Sequence, residues 1–153
     1  MRPSAMTPFF SRRSLLQAGA ALAAQAGLPP ARACEFFGPT LRVTHPWARA
    51  SMPGDTEALV SMVLDEVSED DRLVGVETPV AAAADLLVDG RPAPLDLAIP
   101  AGRETRLDAE GRQLRLTGLR QPLDVGRAYP LTLHFAKGGP VKASLSIDLQ
   151  RFA

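Results

Sequence analysis

Apolar and polar residues alternate along most of the chain after residue 40, which is typical of β-strands that bury one face. The stretch YPLTLHFA, residues 129–136, has four large apolar side chains on one face and polar ones, including His134, on the other. The stretch VKASLSIDL, residues 141–149, alternates in the same way and ends on an inward Leu149. A Gly-Gly-Pro turn separates the two stretches, so they are predicted to form a hairpin.

A third alternating segment, residues 112–117, is predicted to bury Leu114 and Leu116. Its opposite face then carries Gln113, Arg115 and Thr117. Further short apolar runs follow one another at about ten-residue spacing with Gly or Pro turns between them, and no amphipathic helix exceeds two turns. About eight strands in this pattern predict one antiparallel β-sandwich or small barrel over residues 34–153.

The first 33 residues differ from the rest and resemble an export signal. Arg12 and Arg13 open an S-R-R-x-L-L motif similar to twin-arginine signals, and a mildly apolar stretch follows that is too short to span a membrane. The small-x-small pattern at residues 31–33 predicts cleavage after Ala33 and a periplasmic mature chain. Lipidation of Cys34 is the alternative, although Arg32 puts a charge where lipoprotein signals have small apolar residues.

Charge and composition exclude several classes of partner. Four of the 17 basic residues lie in the signal, which leaves 13 basic against 17 acidic residues in the mature chain. An acidic domain argues against nucleic acid or an anionic membrane surface as partner. One cysteine excludes an internal disulfide and a multi-cysteine zinc site.

The residues give little support for an enzyme. The two histidines, His45 and His134, belong to no recognisable triad, and neither a G-x-S-x-G motif nor a glycine-rich phosphate loop is present. Soft donors for copper(I) are few. They are the thiol of Cys34, the two imidazoles, Met52 in a turn, and Met62, which alternation places in the core. Because no pair has ligand spacing on one strand, spacing alone predicts no metal site.

Several stretches, taken in order, resemble the periplasmic PCu(A)C-type copper chaperones. They are LRVTHPWARASMPGDTEALVSMVL, DDRLVGVETPVA, IPAG, LTGLRQPLDVG and YPLTLHFAKGGPV. The resemblance extends over nearly the whole mature chain, from about Leu41 to Leu149. The resemblance implies a cupredoxin-like, immunoglobulin-like antiparallel β-sandwich. It also implies a role in carrying copper(I) to cytochrome oxidase assembly, with oxidase-assembly or copper-import proteins as partners.

The resemblance also implies where copper(I) would bind, and there the chain departs from the family. The family's His and Met positions fall on Leu87 and near Leu95, and its His-x-Met pair falls on Gln113 and Arg115. We call these four residues the family position. None offers a thioether or an imidazole, and a guanidinium has no acceptor. The expected cofactor is therefore copper(I) at an altered site, or none.

Three further expectations follow from the residues. A relocated copper(I) site would use Cys34 with His45 or Met52. If no metal binds, Gln113 and Arg115 belong to a protein-interaction surface. In either case Arg115 is expected to pair with Asp85, Asp96 or Asp108, whichever lies on a neighbouring strand. Trp47 is predicted to anchor the core.

Overall fold

The computed structural model describes residues 34–149, which form eleven strands without a helix among them. The strands are β1 (Glu35–Phe37), β2 (Arg42–Arg49), β3 (Glu57–Asp65), β4 (Asp71–Glu77), β5 (Ala81–Val88), β6 (Arg91–Ala93), β7 (Leu97–Ile99), β8 (Thr105–Leu107), β9 (Arg112–Leu119), β10 (Ala128–Phe135) and β11 (Gly139–Asp148). The predicted signal motif at Arg12 and Arg13 and the predicted cleavage site after Ala33 lie outside the described residues. No helix in the described range is long and apolar enough to cross a membrane.

The strands form one curled sheet in the order β6-β5-β9-β3-β2-β11-β10-β4-β7, with β1 added beside β2 and β8 beside β3. Its inner face encloses a core of leucine, valine and isoleucine side chains, so the predicted all-β sandwich is confirmed. The prediction of a purely antiparallel sheet is wrong in one place, because β2 and β11 pair in parallel from Trp47↔Ser146 to Asp148↔Arg49. This pairing places β2, near the start of the described chain, beside β11, its last strand. No local turn signal in the sequence indicates that the two strands are neighbours.

The predicted alternation is confirmed in the long strands. The inward residues of β3, β9, β10 and β11 are almost fully buried, and Met62 is among them. The hairpin of β10 and β11 also has the expected register. Leu149 is an exception: it lies beyond the end of β11 and is 68% exposed. The stretch AAAAD, residues 81–85, is part of strand β5.

A β-bulge in β2 corrects the prediction for Trp47. Thr44 pairs with Val63 and Trp47 with Ser61, so three steps along β2 match two along β3. His45 has a φ of 50° inside this bulge. An extra residue reverses which face the following side chains point to. Ala48 is therefore buried, whereas Trp47 is only half-buried on the outer face and is not a core anchor.

The carboxylate of Asp71, at the start of β4, is hydrogen-bonded to three separate segments of the chain, at residues 40, 72 and 137–138. It accepts hydrogen bonds from the Thr40 hydroxyl (2.9 Å) and from the main-chain N–H groups of Arg72 (2.8 Å), Lys137 (2.8 Å) and Gly138 (2.9 Å). Burial by itself would raise the pKa of Asp71, but these four donors outweigh it and lower the pKa. A Cβ atom at Gly138 would lie 2.6 Å from the Thr40 hydroxyl, so this turn requires glycine.

We expect Asp71→Asn to destabilise the fold by about 1–3 kcal/mol at pH 7, because an amide NH₂ group would face backbone donors. The folded pKa lies below the unfolded value of about 3.9. The stabilisation is therefore complete above that pH and is lost as the pH falls through the folded pKa. Urea unfolding at several pH values measures it. Asp70→Asn is the matched control, since its exposed carboxylate accepts one hydrogen bond, from Ala101 N–H. A wild-type-to-variant difference that stays constant down to pH 2 contradicts this assignment.

We expect Trp47→Ala to cost about 1–2 kcal/mol, because only part of the indole leaves water on folding. Leu64→Ala, at a fully buried position on β3, is the comparison and should cost about 2–5 kcal/mol. Denaturant unfolding of both variants gives the two values. Equal losses would show that Trp47 anchors the core after all.

Candidate metal centre

The family position lies mainly on the outer face of strands β5 and β9. Leu87 pairs directly with Gln113. Two residues away on the same two strands, Asp85 pairs with Arg115. The intervening Leu86 faces the core. The side chains on the opposite face are therefore those of the two pairs, Leu87 with Gln113 and Asp85 with Arg115. Cβ atoms of directly opposed residues are about 4.5–5.5 Å apart, close enough for both side chains to reach a common ligand.

Arg115 is held in place by two carboxylates. Its Nε and Nη2 atoms donate to the two oxygens of Asp85 at 2.8 and 2.6 Å, and its Nη1 donates to Glu57 at 3.1 Å. The side chain is 17% exposed. These hydrogen bonds lower the pKa of Asp85 and raise the pKa of the guanidinium further above neutral pH. The predicted pairing of Arg115 is therefore with Asp85, and Glu57 is a partner that the sequence did not indicate.

This arrangement is an ion-pair cluster with little affinity for a soft metal. Leu87 has no lone pair, the amide oxygen of Gln113 is hard, and the carboxylates are occupied by Arg115. Leu95 packs against the hydrophobic core from the connection between β6 and β7. Within residues 34–149, no group of three His, Cys, Asp or Glu side chains is arranged to hold a metal ion.

Two of the three residues expected at a relocated site lie together. Continuing the β1–β2 register by one residue places Cys34 opposite His45, and the His45 N–H donates to the Cys34 carbonyl at 2.8 Å. Both residues line a cavity of about 140 Å³, the Cys34 cavity, whose remaining walls are Pro46, Trp47, Ser146, Ile147 and Asp148. The Cys34 Sγ atom is half-buried and lies 3.9 Å from the Ser146 hydroxyl.

The other soft donors lie elsewhere. Met52 is 70% exposed in the turn after β2, where its N–H donates to Asp55, and it does not line the Cys34 cavity. The thioether of Met62 is in the core. His134 lies on the outer face of β10, 3.3 Å from a Glu77 oxygen.

Sequence reasoning missed the residues that complete the Cys34 cavity. Alternation along β11 puts Ser146 and Asp148 on the outer face, but only the parallel pairing with β2 brings them to His45 and Trp47. The alternation was the available signal, and it carries no information about which strand lies alongside.

Solved structures similar to this chain include PCuAC domains, as the resemblance in sequence suggested. The copper-bound PCuAC domain from PmoF2 has 23% identity and a TM-score of 0.70, and the match covers 76% of this chain and 98% of that one. The apo PCuAC domain from PmoF1 has 26% identity and a TM-score of 0.69 over 76% and 99% of the two chains. The copper(I) form of DR1885 from Deinococcus radiodurans has 23% identity and a TM-score of 0.62 over 86% and 87%.

A comparison with curated proteins gives no match. A family profile does match, over residues 41–147, which are more than two thirds of the chain and include every strand from β2 to β10 and nearly all of β11. The chain therefore belongs to the LpqE-like lipoprotein family, and its domain has the PCuAC fold.

Proposed function

We propose that this protein is a periplasmic member of the copper-chaperone lineage whose family position no longer binds copper(I). The observation that carries the proposal is the pairing of Leu87 with Gln113 beside an Arg115 held by Asp85 and Glu57. Aliphatic, amide and guanidinium groups stand where the family has imidazole and thioether ligands. The protein acts as a carrier or binding module and catalyses no reaction.

The location in the periplasm rests on the sequence of the first 33 residues. The paired arginines Arg12 and Arg13 support export by the twin-arginine route, and cleavage after Ala33 would make Cys34 the first residue of the mature protein. In this compartment the partners are oxidase-assembly or copper-import proteins. The fold shared with copper-bound PCuAC domains supports that assignment.

A non-metal interaction module is the second candidate function. The outer face favours it, because Leu59 on β3 is directly opposite Arg115 and is 41% exposed. An exposed apolar side chain beside an ordered ion pair is suited to contact with another protein. Anaerobic copper(I) titration against a competing chelator separates the two candidates, since an interaction module leaves the chelator's copper untouched.

Restoring soft ligands at the family position should create a copper(I) site there. We expect the quadruple variant Leu87→His, Leu95→Met, Gln113→His and Arg115→Met to compete with the chelator for one copper(I). The cross-strand pairing would place two imidazoles side by side. The variant is made in a Cys34→Ser background, so that any copper(I) gained is not held by the thiol.

The matched control carries Leu87→Ala, Leu95→Ala, Gln113→Ala and Arg115→Met in the same background. It removes the same ion pair without adding imidazoles and should leave the chelator's copper in place. A folded quadruple variant that binds no more copper(I) than this control would show that the positions are misassigned.

A further inference from the structure

The Cys34 cavity is lined by two residues whose side chains are strong copper(I) donors, one just before β1 and one in β2. Cys34 and His45 line the same cavity, and the His45 N–H donates to the carbonyl of Cys34, the residue that immediately precedes β1. Each has a positive φ, 84° for Cys34 and 50° for His45, so neither has the extended backbone of a regular strand. The bulge in β2 brings His45 and Trp47 to this cavity, and β11 supplies its opposite wall.

The donors discriminate between metals. A thiolate and an imidazole are the ligands that soft copper(I) prefers, and copper(I) is stable with two ligands. A structural Zn²⁺ site requires four ligands, and within the described residues no group of even three His, Cys, Asp or Glu side chains is arranged to hold a metal ion. The remaining oxygen groups, Ser146 and Asp148, are hard, and Asp148 already accepts a hydrogen bond from the Leu149 N–H.

We infer that Cys34 and His45 form a relocated copper(I) site in the Cys34 cavity. The inference rests on the proposed function, in which the protein handles copper without using the family position. Binding replaces the thiol proton: the Cys34 S–H bond breaks, its electron pair forms the S–Cu bond, and the proton goes to solvent. Copper remains in the +1 state, so neither oxidant nor reductant is consumed.

Trp47 provides a direct readout, because it is the only tryptophan in the chain and lines the same cavity. We expect anaerobic titration of the purified protein with copper(I) to quench tryptophan fluorescence with an end point of one equivalent. A competing chelator then gives the affinity, and Zn²⁺ added alone should not produce the same end point.

Two variants remove the donors singly. Cys34→Ser keeps the shape of the side chain, and His45→Asn supplies a residue that tolerates positive φ. We expect each to weaken copper(I) binding at least tenfold without changing the unfolding midpoint by more than a few degrees. His134→Gln is the matched control, because it removes the other histidine, on β10, and should bind copper(I) as the wild type does.

A second measurement does not depend on any variant. Iodoacetamide should alkylate the single thiol of the wild-type protein, and one equivalent of copper(I) should slow that reaction at least tenfold. Equal alkylation rates with and without copper(I) would overturn the inference. So would an acyl group found on Cys34 by mass spectrometry of the exported protein, because the thiol would then be blocked.

The outcomes separate this inference from the proposed function. Wild-type protein that binds no copper(I) overturns the Cys34 site and the carrier role and favours the interaction module, while the loss of copper(I) binding at the family position stands. Copper(I) binding that survives Cys34→Ser and His45→Asn but disappears in Gln113→Ala overturns both. Binding lost in the first two variants and unaffected by Gln113→Ala supports both.

Discussion

The bulge in β2 is the constraint on which the outer face of the sheet depends. Before the bulge, β2 pairs with β1; after it, β2 pairs in parallel with β11, while β3 accompanies both halves. One inserted residue, with His45 in a left-handed conformation, reverses the direction of the following side chains. As a result Trp47 turns outward, and the start of β1 and the end of β11 are joined around one cavity.

The pairing of β5 with β9 shows how core packing and outer-face chemistry are separated on one pair of strands. The core side of this pair is maintained by buried leucines such as Leu86 and Leu114, which do not depend on what the outer face carries. On the outer side, a bidentate ion pair between Arg115 and Asp85 occupies the space. Because core packing and outer-face chemistry alternate residue by residue, one can be replaced without disturbing the other.

The two clusters of interest lie on the same face of the sheet, on either side of β3. Trp47 pairs with Ser61 of β3, and Arg115 pairs with Leu59, two residues away on the same face. One cluster is a network of ion pairs around Arg115, whereas the other brings a cysteine and a histidine beside an aromatic ring. This division matches the chemistry of copper(I), which gains little from carboxylates and much from sulfur and imidazole.

The sequence by itself determined the all-β class and the inward faces of the long strands. Each depends on alternation or on the identity of single side chains, which are local properties. The tertiary structure decided the partner of Arg115, the exposure of Trp47 and the meeting of Cys34 and His45 with Ser146. These depend on strand adjacency and on one bulged residue, which are set by packing between segments as far apart as β1 and β11. A period-two pattern states which way a side chain points, but not which strand it meets or where an extra residue reverses the count.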